Sequence, residues 1–207
     1  MLGIRLLAAV VALVGLTWTP PSITAQTING MQEEGLPGPA LQQGGFVIYF
    51  RHALEEGQDQ NPLDLDDCGT QQRLTEAGRE QARAIGSTFR ELRIPVGPVL
   101  SSPICRAYDT AAIAFGSAER IDFLSLPATL DPTVREGQVD RLRALLGTPP
   151  DPGMNTVLVS HSNLLMMAAG TGVDRAEAAI FAPDGIGGFT LRGLVAWDAW
   201  HTLFTGD

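Results

Sequence analysis

Lysine is absent from the 207-residue chain, so all fourteen basic side chains are arginine. Any site that holds an anion must therefore rely on guanidinium groups as its strong cations. The formal net charge is -9. That balance argues against nucleic acid as a partner, because affinity for it comes mostly from cationic neutralisation of phosphates. Cysteine is scarce, with only Cys68 and Cys105 and no Cys-x-x-Cys spacing, so zinc-ribbon and thioredoxin-like readings have nothing to stand on. The two thiols are either joined as a disulfide or buried separately, and the sequence leaves both open. Internal repeats are lacking too.

No apolar run reaches the roughly 20 residues of a membrane span. The nearest is Leu6 to Leu16, which follows Arg5 and precedes Ser22-Ile23-Thr24-Ala25. A short apolar core between one positive charge and a small-residue cut site predicts a signal peptide over residues 1–25. The expectation is an exported chain, periplasmic or secreted, with no membrane span after removal of the signal; an uncleaved anchor is the alternative. Residues 26–45 are rich in Gln, Gly and Pro and read as a flexible lead-in. The remaining 46–207 suffice for one core and are short for two.

Phe46-Val47-Ile48-Tyr49-Phe50 is a compact β-branched and aromatic run, predicting a buried strand that ends at Arg51-His52. A loop rich in Asp, Gly and Asn follows. Thr75 with Glu76 opens a predicted amphipathic helix, in which Ala82, Ile85, Phe89 and Leu92 recur at helical spacing. Val96 to Leu100 predicts a short strand, with Pro103 in the first turn of a second helix reaching about Phe115. A third helix is expected over Val134 to Leu146. Asn155 to Ser160 is the clearest strand, followed by His161 and a short helix from Asn163 to Ala169. Two antiparallel strands close the chain, the second from Phe189 to Val195, with Trp197 and Trp200 capping the core. Alternating strands and helices predict a three-layer α/β/α sandwich with a mostly parallel central sheet, whose sites gather at the carboxyl ends of strands.

Three segments fall at such ends: Arg51-His52-Ala53, then Ser101-Ser102-Pro103-Ile104-Cys105-Arg106-Ala107-Tyr108-Asp109-Thr110-Ala111, then Ser160-His161-Ser162-Asn163. In order and type they resemble the signature of the histidine phosphatase (phosphoglycerate mutase-like) superfamily: an Arg-His-Gly or Arg-His-Ala segment, a Ser-Ser-Pro-x-x-Arg-Ala segment, and a second His after a strand. The resemblance implies a phosphate pocket in which His52 attacks phosphorus while Arg51, Arg106 and His161 hold the non-bridging oxygens. Elementary chemistry agrees with it. A phosphoryl group in transit spreads negative charge over three oxygens, which fixed, permanently charged guanidinium donors match. A neutral imidazole attacks through one nitrogen only if an acceptor holds the other, and the sequence does not reveal that acceptor. The scheme requires neither metal nor cofactor.

The leaving alcohol also needs a proton. Some superfamily members place an Asp directly after the second His; Ser162 stands there in this chain, a departure from the acid-phosphatase and phytase pattern. Glu177 is the candidate acid from its position before a predicted strand, with Glu136 and Glu55 as rivals. Ser162 and Asn163 are expected to donate to the phosphate from a helix start, and Arg73 or Gln72 to face the substrate. Thr110 and Asp109 are expected to steady the helix that carries Arg106. His201 reads as a packing or surface residue.

These readings predict a phosphomonoester hydrolase acting on a small phosphorylated substrate. Export makes mutase chemistry less natural, since that needs a supply of phosphoglycerate. A catalytically silent phospho-ligand-binding member of the fold, or a structural envelope protein, stand as the other readings.

Overall fold

The computed structural model describes residues 38–61, 63–125 and 131–205. The predicted signal peptide and most of the lead-in lie outside them. In chain order the elements are α1 (Gly38–Leu41), β1 (Val47–Arg51), β2 (Glu55–Glu56), β3 (Arg73–Leu74), α2 (Glu76–Glu91), β4 (Val96–Ser101), α3 (Cys105–Phe115), β5 (Glu119–Arg120), α4 (Pro132–Leu146), β6 (Asn155–Ser160), α5 (Ser162–Ala169), β7 (Ala178–Pro183) and β8 (Phe189–Val195). Short 3-10 turns follow β5 and β8.

One sheet carries the architecture, in the order β5-β4-β6-β1-β7-β8. The first four strands of that order pair in parallel, whereas β7 and β8 run antiparallel. β1 sits between β6 and β7, which is why its side chains form an uninterrupted apolar run with no polar alternation. Ile48 and Phe50 face one side with Val157, Val159 and Ile180, where they meet α2, α3 and Trp200. Val47 and Tyr49 face the other side with Leu158 and Phe181, against α4 and α5. The result is the three-layer α/β/α sandwich expected, with each strand's period of two feeding both cores.

Local rules explain the helices. Thr75 caps α2 by accepting from the Gly78 amide at 2.9 Å, and Asp131 caps α4 with Pro132 in its first turn. Two glycines of α2 are there for clearance. A Cβ on Gly86 would lie 2.0 Å from the Ala114 carbonyl of α3, and one on Gly78 2.1 Å from the Leu54 carbonyl. The first lets α2 and α3 pack closely; the second lets α2 press on the loop after β1.

Three expectations need correction. The packed fold begins before residue 46: Leu41 is fully buried and Gly38 rests against the Leu203 carbonyl, so the end of the lead-in is not a tether. Asn155 secures it, since its amide donates to the Leu41 and Pro95 carbonyls while its oxygen takes the Phe46 amide. Pro103 precedes α3 instead of sitting in its first turn, because Ile104 holds the extended cap position. The loop after β1 also contains a small ribbon, β2 paired with β3, which two-residue strands are too short to announce in a pattern.

Candidate active site

The parallel strands β1, β4 and β6 end side by side, and their next residues are His52, Ser102 and His161. The ladder extends past β1: the His52 amide donates to the Ser160 carbonyl at 3.0 Å, and the His52 carbonyl accepts from the Ala176 amide. The His52 main chain is thus held from both neighbours in the sheet, β6 and the residues that lead into β7. His52 and His161 are both buried, with ring centroids 5.3 Å apart.

The two nitrogens of His52 have different surroundings. Nδ1 lies 3.0 Å from the Ala53 carbonyl, an acceptor that requires Nδ1 to carry the proton. Nε2 keeps its lone pair and with it accepts a hydrogen bond from Nε of Arg106 at 3.3 Å. The acceptor that the sequence did not reveal is therefore the next residue's backbone. That carbonyl is fixed in turn: Thr110 Oγ1 takes the Ala53 amide at 3.0 Å, and Gln81 takes the Leu54 amide. Thr110 also donates to the Arg106 carbonyl, so one hydroxyl ties the loop after His52 to the helix bearing the arginine.

Burial lowers the pKa of His52 to about 4, with the Arg106 and Arg51 charges acting in the same direction against the Ala53 hydrogen bond and the nearby Glu55. His161 is pushed well below its ordinary value by burial, then by His52, Arg106 and Arg51. Both rings are neutral at physiological pH. His161 Nε2 is 3.0 Å from the Ser102 hydroxyl, and its backbone exchanges hydrogen bonds with the buried Tyr49 hydroxyl. Burial, then the charge of Arg175, lowers the pKa of Arg51.

A cavity of about 610 Å³ opens over these groups, and Arg51, His52, Arg106 and His161 all line it. Ser162 and Asn163 line it as well, although the Ser162 hydroxyl is engaged by the Val173 amide and the Asn163 oxygen caps Leu164. Among the described residues, no group of three His, Cys, Asp or Glu side chains is placed to hold a metal ion.

Other expected residues fall elsewhere. The Glu177 carboxylate takes the Asp174 amide at 2.7 Å, a turn-closing contact, and it does not line the cavity. Its local sequence position before β7 was no guide to the direction of its side chain. Glu136 lines a different, smaller cavity beside α4. Arg73 pairs with Asp109 at 3.6 Å outside the cavity, whereas its neighbour Gln72 lines it. Of the three acids weighed, only Glu55 reaches the site, 3.5 Å from Nδ1 of His52. Asp59 escaped the sequence reading altogether. It lies in an irregular loop, and only the fold brings it to Arg106, whose Nη1 donates to its two oxygens at 3.1 and 3.2 Å.

Cys68 and Cys105 form a disulfide with Cα atoms 5.8 Å apart. Cys105 opens α3 directly before Arg106, so the bridge fastens the loop that carries Asp59 to the helix that carries the arginine.

The profile of the histidine phosphatase superfamily (branch 1) matches residues 47–148, and those residues contain the first two segments of the site. The chain belongs to the histidine phosphatase superfamily. The fold is shared with solved members. The protein histidine phosphatase SixA complexed with tungstate superposes with a TM-score of 0.54 at 19% identity, covering 73% of this chain and 97% of its own. A phosphoserine phosphatase variant from Entamoeba histolytica in complex with phosphoserine gives 0.52 at 16% identity, with 74% and 98% covered. A mycobacterial glucosyl-3-phosphoglycerate phosphatase gives 0.51 at 21% identity, with 72% and 97% covered. At such identities the likeness is one of fold. No curated protein matches the chain in sequence.

Proposed function

We propose that this histidine phosphatase superfamily member is an exported hydrolase of small phosphomonoesters that works through a phosphohistidine on His52 and needs no metal. The observation that carries the reading is the asymmetry of the His52 ring: Nδ1 is committed to the Ala53 carbonyl, and Nε2 opens on the cavity beside Arg106. A phosphoryl group seated there meets Arg51, Arg106 and His161, donors suited to its equatorial oxygens. Attack forms the Nε2–P bond as the bond to the leaving oxygen breaks. Water then cleaves Nε2–P and restores the free imidazole.

The intact set of four argues for turnover over silent phospho-ligand binding or a purely structural role. The solved neighbours are described with phosphoserine, a glucosyl-3-phosphoglycerate and protein histidine, and that variety gives no single substrate for this chain. Export is supported by the apolar run at the N-terminus and by the disulfide, a bond that persists in oxidising compartments.

The test is hydrolysis of p-nitrophenyl phosphate in EDTA by the chain lacking residues 1–25. Turnover that vanadate inhibits and that His52→Ala abolishes is the expected result. Turnover that survives His52→Ala overturns the reading, and binding of phosphate without turnover favours the silent member. Mass spectrometry of the mature N-terminus checks cleavage after Ala25.

A further inference from the structure

Four groups account for the nucleophile and the non-bridging oxygens, but none of them delivers a proton to the leaving group. Among the described residues, two carboxylates line the cavity, Glu55 and Asp59, and their positions differ in a way that decides between them. Glu55 stands on the Nδ1 side of His52, away from the attacking nitrogen, and is held by two hydrogen bonds from Arg175 at 2.8 and 3.0 Å. Asp59 stands on the Nε2 side. The Arg106 guanidinium presents Nε to His52 Nε2 at one end and Nη1 to both Asp59 oxygens at the other. Nucleophile and carboxylate therefore flank a single planar cation, and a phosphoryl group bound over that cation lies between them.

Asp59 is also anchored where it stands. Its Oδ1 accepts the Gln72 amide at 2.8 Å, the Gln72 side chain donates to the Gly57 carbonyl, and the Gln60 amide bonds to the Thr70 carbonyl. The disulfide at Cys68 closes the same loop onto α3. A carboxylate fixed opposite a nucleophile, across the ion that binds the transferred group, has the placement of a general acid and base.

From this geometry we infer that Asp59 is the proton donor to the leaving group and the base for the attacking water, an assignment that rests on the phosphohistidine reading above. The steps balance. A phosphomonoester whose second ionisation lies at about pH 6 brings a proton, which the carboxylate, still held by the Gln72 amide, takes as the phosphoryl group replaces it on Nη1 of Arg106. Nε2–P forms, the bond from phosphorus to the bridging oxygen breaks, and Asp59 gives its proton to that oxygen. In the second half Asp59 takes a proton from water as the water oxygen bonds to phosphorus, and the Nε2–P bond breaks with its electron pair returning to the imidazole. Orthophosphate then leaves as its monoanion, taking the proton from Asp59 and restoring the carboxylate.

Leaving-group dependence tests it, because p-nitrophenolate departs without a proton and an alkoxide does not. kcat/KM reports the first half-reaction alone. For Asp59→Asn, which keeps the oxygen that accepts the Gln72 amide, kcat/KM on ethyl phosphate should fall by about 10² to 10³-fold, the range of general acid catalysis. On p-nitrophenyl phosphate it should fall less than about tenfold, and a rapid burst of nitrophenol should remain, since loss of the base slows only breakdown of the phosphoenzyme. Equal losses on both substrates, or an unchanged rate on ethyl phosphate, overturn the inference. A wild-type protein that forms no acid-labile phosphoenzyme in the burst assay overturns the phosphohistidine reading itself, whatever Asp59 does.

Discussion

Glu55 Oε2 lies 3.5 Å from Nδ1 of His52, and the same carboxylate receives two hydrogen bonds from Arg175. Burial alone would raise the Glu55 pKa, but the Arg175 hydrogen bond, aided by the neighbouring His52 and the Arg175 charge, brings the value below the ordinary one, and with His52 neutral it is Arg175 that holds the anion. Glu55 is thus an anion beside the nitrogen that does not attack. In the proposed phosphohistidine, where Nε2 bonds to phosphorus while Nδ1 keeps its proton, the ring gains positive charge, and a neighbouring carboxylate lowers the energy of that state more than of the neutral one.

Glu55→Gln is therefore expected to slow the nitrophenol burst from p-nitrophenyl phosphate, which reports formation of the phosphoenzyme, roughly tenfold, the loss of about one pKa unit's worth of differential charge stabilisation. Arg175→Gln, which leaves the carboxylate in place but releases it, should have a smaller effect of the same kind. Stopped-flow burst kinetics on both variants checks this. A burst of unchanged rate that needs more substrate to saturate would assign Glu55 to substrate binding instead.

His52 supplies a pH prediction. Its pKa is held at about 4 when folded, against about 6.5 in an unfolded chain. A lowered folded value means that the unfolded state binds the proton first, so the contribution to stability is complete above about pH 6.5 and is lost as pH falls toward 4. The full difference is on the order of 3 kcal/mol. Urea unfolding midpoints should decline across that window in the wild type and less steeply in His52→Asn, which removes the titrating ring. Imidazole nitrogen NMR should find His52 neutral, with the proton on Nδ1, at pH 6. A His52 ring already protonated at pH 6 would contradict the structure.

How much of this was legible beforehand follows from what sequence patterns encode. The strand β6 and the cap of α2 at Thr75 are written locally, as a β-branched run and a capping side chain before an amphipathic helix, so they could be read in place. The juxtaposition of Arg51, His52, Arg106 and His161 was readable only because strand ends in a parallel sheet converge and three recognisable segments supplied the ends. Side-chain direction in irregular backbone was not. Glu177 and Asp59 are both single acids in loops, and nothing in their neighbours says that one closes a turn on the Asp174 amide while the other reaches Arg106 from 47 residues away. The two-residue strands β2, β3 and β5 exist through pairing partners alone, with no periodicity of their own.

The disulfide carries the last prediction. Cys68 and Cys105 are 37 residues apart, and in the chain-entropy account a closed loop of that size removes enough freedom from the unfolded state to stabilise the fold by about 4 kcal/mol, an upper figure. The bridge also has a local task, because Cys105 precedes Arg106, the Cys105 amide donates to the buried Gln71 side chain at 2.8 Å, and Gln72 and Asp59 follow from the same fastened loop. A Cys68→Ser, Cys105→Ser double variant should therefore lose both stability and function. Its Tm is expected to drop by roughly 10 °C, taking about 2–4 °C per kcal/mol for a chain of this size. KM for p-nitrophenyl phosphate should rise at temperatures where circular dichroism still shows the native fold, since the loop over the cavity is released while the sheet that holds His52 and His161 is not. A double variant with wild-type KM at those temperatures would reduce the bridge to a global staple and detach it from the site.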